Sequence, residues 1–143
     1  MATKKAATKT VFSDAELEAM QDAKVERRKG KKADGLSDLL AKIAELDDSD
    51  RAIAETIHAL VTENAPDLAP KTWYGMPAWA NKDGKVVCFL TPAGKFDSRY
   101  ASFGFNDVAR LDDGTVWPTS FAVSKLTKAD EENFAKLIRK AVS

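Results

Sequence analysis

Apolar positions recur at steps of three and four in the first and last parts of the chain and at every second residue in between. Leu36, Leu39, Leu40, Ile43 and Leu46, with Ser37 near the start, predict one helix. Asp47-Asp48-Ser49-Asp50 then interrupts the pattern and sets carboxylates at the start of a further helix, about 50–64, which buries Ile53, Ile57, Leu60 and Val61 and stops before Pro66 and Pro70. A C-terminal helix is the clearest element. Thr127 caps it, Asp130, Glu131 and Glu132 fill its first turn, and Phe134, Leu137, Ile138, Ala141 and Val142 form one apolar stripe. Between these helices the residues become aromatic and β-branched with glycine punctuation, predicting strands at about 72–79, 85–91, 98–105 and 116–123. Short links and period-two alternation imply antiparallel neighbours. The fold class expected is α+β, with an antiparallel sheet of about four or more strands packed against N-terminal and C-terminal helices.

An earlier helix is also predicted, from Ser13 to about Lys29. Ser13 and Glu16 fit a capping box, Phe12 and Leu17 a hydrophobic staple, and Gly30 a stop. Its apolar face, Leu17, Met20 and several alanines, is thin, which predicts loose docking. The expected organisation is therefore residues 1–35, a basic tail with a loosely docked helix, and residues 36–143, the α+β domain.

The length of 143 residues fits one domain. The formal net charge of zero conceals a charge of +4 on residues 1–32 and −4 on the remainder, so the arm offers weak nucleic-acid contact. Val86-Val87-Cys88-Phe89-Leu90 is the longest apolar run, far below the roughly 20 residues of a membrane span. With no apolar leader and one cysteine, a cytoplasmic location and no membrane partner are expected. Cys88, within that run, reads as a buried thiol.

No phosphate loop, HExxH, CxxC or nucleophile elbow occurs, and the single histidine, His58, flanks an apolar stripe. The expectation is a protein that is not an enzyme. Two features carry candidate chemistry. Trp73-Tyr74-Gly75-Met76-Pro77-Ala78-Trp79 packs three aromatics and a methionine around a glycine–proline break, where a strand should bulge or turn and open a cleft. Trp73, Tyr74, Met76 and Trp79 are the candidate ligand-binding residues, the alternative being that they cap the core. The second feature is a scatter of paired acids, Asp47/Asp48/Asp50, Asp112/Asp113 and Asp130/Glu131/Glu132, since carboxylates suit hard cations and loosely held ferrous iron; helix-start acids and a turn at Asp112-Asp113-Gly114 are the alternative.

The helix ending Ala65-Pro66, then Trp73-Tyr74-Gly75-Met76-Pro77, then Gly84-Lys85-Val86-Val87-Cys88-Phe89, resembles the YdhG-like domain-of-unknown-function family. Phe103-Gly104-Phe105, Leu111-Asp112-Asp113-Gly114, Trp117-Pro118-Thr119-Ser120-Phe121 and the Leu137–Val142 ending extend the resemblance over about residues 36–143. It implies a small α+β domain and, for some members, frataxin-like iron chaperoning through surface carboxylates, for which Asp47, Asp48 and Asp50, with Glu55 one turn further along the helix, are the candidate metal set. Three readings follow. The first is a non-enzymatic binding domain whose unidentified small molecule or protein partner contacts the aromatic cleft, with no cofactor firmly implied. The second is an iron chaperone with weakly bound ferrous iron, and the third is a nucleic-acid-associated protein using its basic arm.

Overall fold

The computed structural model describes residues 13–29 and 35–143. Phe12, Gly30 and much of the basic arm lie outside the described residues. Four helices and five strands are present among those described: α1 (Asp14–Lys29), α2 (Gly35–Ala44), α3 (Asp48–Asn64), β1 (Ala69–Trp73), β2 (Met76–Ala80), β3 (Val86–Thr91), β4 (Ala101–Phe105), β5 (Ser120–Val123) and α4 (Lys128–Ala141). The strands form one antiparallel sheet in the order β1-β2-β3-β4-β5, so the fold is α+β with helices before and after a meander. No described helix is long and apolar enough to cross a membrane.

Capping chemistry sets the helix starts. In α1, the Glu16 N–H donates to Ser13 Oγ at 3.1 Å, and the Ser13 N–H donates back to Glu16 Oε1 at 3.4 Å. The same reciprocal pair links Thr127 and Asp130 at α4, at 3.0 and 3.2 Å. The Thr127 backbone N–H, and then its hydroxyl, hold the Asp130 carboxyl below its ordinary pKa.

Antiparallel register sorts the sheet into two faces. Pro70, Trp79, Cys88 and Phe105 stand in one row, and Leu90 pairs with Phe103 on the same side. Of these, Trp79, Cys88, Leu90, Phe103 and Phe105 form one core with Leu39 and Ile43 of α2, Ile53, Ile57 and Val61 of α3, and Phe134 and Ile138 of α4. Phe103 is its aromatic centre, with ring centroids 4.9 Å from Phe105 and 5.0 Å from Phe134. Cys88 is buried there, and burial pushes its thiol pKa up, which leaves little thiolate.

Three predicted boundaries shift. The expected strand over 72–79 is two strands, β1 and β2, folded back on each other. The expected strand over 98–105 starts only at Ala101, because the Ser98 N–H turns back to the Ala93 carbonyl at 2.9 Å. The expected strand over 116–123 starts at Ser120. Pro118 has no N–H for a ladder, Val116 is 86% exposed, and Trp117 packs partly against the core instead.

Candidate functional site at the first hairpin

The β1–β2 pair closes through a two-residue turn. Trp73 opposes Met76, and the two residues between them both have positive φ, 53° at Tyr74 and 75° at Gly75. Two central residues with positive φ define the hairpin turn whose twist matches the flanking strands, and Asn-Gly is its favoured sequence. A Cβ at Gly75 would push on the flexible ends of Lys95 and Asp22, and the φ of 75° is one that glycine adopts without strain. Tyr74 has no such freedom. It is a bulky side chain in left-handed backbone, 40% exposed.

The structure divides the predicted aromatic set. Trp73 and Met76 lie on the sheet face opposite the core, where Trp73 meets Tyr74 edge-on at 5.2 Å and Phe89 at 5.1 Å. The Phe89 ring lies over Gly104, whose missing side chain makes room for it. Met76 Sδ accepts a hydrogen bond from Thr91 Oγ1 at 3.2 Å. Trp79 stands apart from these three. Three residues beyond Met76 on a strand of period two, it points into the core and has no exposed surface. Its Nε1–H donates to His58 Nδ1 at 3.2 Å, so the only histidine serves as an acceptor and carries its proton on Nε2. Burial lowers the His58 pKa below 6.5.

At the hairpin tip, Tyr74 and Met76 join Thr91, Phe96 and the α1 residues Glu16, Ala19 and Met20 around a mostly apolar pocket of about 290 Å³. The contribution of α1 was not apparent from the sequence motif. Only the spacing of Glu16, Ala19 and Met20 on one helical face could have hinted at it.

The acidic set is not brought to one point. Asp47 is the N-cap of α3, accepting the Asp50 N–H at 2.9 Å. Asp48 pairs with Arg51 at 2.6 Å, and Glu55 is exposed further along the helix. Asp50 is 3% exposed and anchors the loop after β3, with Oδ1 accepting the Ala93 N–H at 3.1 Å and Oδ2 the Gly94 N–H at 2.9 Å. No group of three or more His, Cys, Asp or Glu among the described residues is arranged to hold a metal ion. A groove of about 1000 Å³ opens elsewhere, between the ends of α3 and α4, and includes Asp67, Lys82, Asp107 and Arg110.

No family model, curated protein or solved structure matches the chain.

Proposed function

We propose that this protein is a non-enzymatic binding domain whose ligand or partner seats one apolar group in the pocket at the β1–β2 hairpin. The observation that carries this reading is Tyr74. A non-glycine residue in left-handed backbone costs about 1–3 kcal/mol, and such strain clusters at functional sites. Asparagine would close the same turn at lower cost, yet the position holds an exposed phenol on the pocket wall. Met20 and Met76, flexible and polarisable, suit a wall that adapts to its occupant. The volume lies at the lower end of ligand sites, which run from about 300 to 1,000 Å³, and suits a single aromatic ring or branched aliphatic group.

The resemblance to YdhG-like domains, which includes the Tyr74–Pro77 segment, supplies the ferrous-iron alternative. That alternative draws less support, because Asp47, Asp48 and Asp50 are occupied as a cap, an ion pair and a loop anchor. The nucleic-acid reading rests on an arm largely outside the described residues.

The chain has three methionines, at positions 1, 20 and 76, so methyl-¹³C-methionine NMR reports on the pocket with few signals. Titration with indole should shift the Met20 and Met76 methyls saturably and leave Met1 unmoved. Absence of a saturable shift at millimolar indole, and with a branched aliphatic alcohol in its place, would refute the reading.

A further inference from the structure

The pocket is built from two parts of unequal security. Its hairpin side belongs to the sheet. Its other side is α1, and the apolar hold of the described α1 side chains on the body is small. Among its described side chains only Ala19 and Ala23 are buried, while its larger apolar residues Leu17 and Met20 are 41% and 43% exposed. One polar contact stands out against this. Asp22 Oδ2 lies 3.1 Å from Lys95 Nζ and 3.5 Å from Lys42 Nζ, and Lys95 Nζ also donates to the Gly75 carbonyl at 3.3 Å. One carboxylate of α1 thus joins α2, the loop after β3 and the turn that carries Tyr74.

We infer that Asp22 is a positioning residue that pins α1 in place and so completes the hairpin pocket, making occupancy of the pocket and docking of α1 one coupled event. This rests on the binding reading above. The contact is partly sheltered, with side-chain exposures of 24% for Asp22 and Lys42 and 14% for Lys95, so it is screened less than a surface pair. The hollow of about 280 Å³ beside it is lined by Glu18, Glu45, Asp47 and Asp50 as well as the two lysines, so other carboxylates face the same space when Asp22 is neutralised. Loss of the Asp22 charge therefore releases α1 and spares the sheet. A terminal helix whose described part buries little apolar surface opens as a local unit, below the global unfolding free energy. An apolar group in the pocket touches Ala19 and Met20 as well as Tyr74 and Met76, so it binds the docked state better and shifts the population towards it.

The test uses the full chain with Asp22→Asn, and Lys95→Gln as a second variant on the other side of the contact. Hydrogen exchange without any ligand should show amides of residues 14–24 exchanging at least tenfold faster in both variants, with α3, α4 and β2–β4 unchanged. Indole should then bind at least tenfold more weakly to Asp22→Asn, with the Met20 methyl response reduced more than that of Met76. Unchanged protection of residues 14–24 in both variants would overturn the inference. So would loss of protection throughout the molecule in both, which would make Asp22 a general stabiliser. If the wild-type chain binds no indole or aliphatic alcohol, the pocket reading fails, and the exchange arm still decides whether Asp22 pins the helix.

Discussion

Tyr74 and Trp79 sit five residues apart in one hairpin and lead opposite lives. Tyr74, at the tip, is exposed in strained backbone and walls a pocket; Trp79, at the base, has no exposed surface and a hydrogen bond to His58. Composition treats them as one aromatic cluster. Sheet geometry separates them, because residues an odd number apart on a strand face opposite sides, and the turn removes Tyr74 from either face. Aromatic density in a short segment therefore marks both a core and a site, and only side-by-side register distinguishes them.

The sharpest test of that contrast is Trp79→Ala. Truncating a fully buried aromatic costs about 3–5 kcal/mol, and here it also strands His58 Nδ1. Thermal and urea denaturation should show the largest loss of any single change in the hairpin; a loss below 1 kcal/mol would mean that Trp79 is not core. Asp50→Ala comes next. It removes the acceptor of the Ala93 and Gly94 N–H groups in a buried site, at a cost of about 1–3 kcal/mol, read by the same denaturation and by faster exchange of those two amides.

The burial of His58 predicts a pH dependence of definite sign. The folded pKa of His58 lies below its ordinary 6.5, so the unfolded chain binds the proton more readily. The stability contribution is complete above 6.5 and is lost as pH falls from there through the lowered folded value. Protonation at Nδ1 also removes the acceptor for Trp79. Urea midpoints measured from pH 8 to pH 5 should fall below about 6.5, and His58→Gln should flatten that part of the profile. The smallest effect on stability belongs to the tip. Tyr74→Asn relieves left-handed strain and should leave stability unchanged or raise it by up to about 1 kcal/mol, while weakening indole binding. A destabilised Tyr74→Asn chain with intact binding would reverse the roles assigned to the two ends.

Much of the architecture was legible. The helix starts at Ser13 and Thr127 follow from side chains that satisfy N–H groups within three residues, local chemistry written in order along the chain, whereas the α3 cap falls at Asp47, ahead of the start expected at about Asp50. Over 72–79 the glycine and the following proline mark a bulge or turn but do not choose between them, since a Tyr-Gly turn lacks the usual Asn-Gly signal; the structure shows the chain reversed into two strands. Asp50 read as a helix-start acid like its neighbours. Its two long-range acceptor contacts depend on a loop more than forty residues away, which no local pattern announces.

Local pattern along the chain is enough to read the α+β class, the helices before and after the sheet and the caps at Ser13 and Thr127, because a period of 3.6 or 2 and a capping box are properties of neighbouring residues. Tertiary structure alone decided that Trp79 faces His58, that Asp22 reaches Lys42 and Lys95, and that α1 supplies one wall of the pocket beside Tyr74. Each of these is a contact between segments distant along the chain. Such contacts follow from strand register and helix docking, which the whole core settles cooperatively and no single stretch of residues encodes.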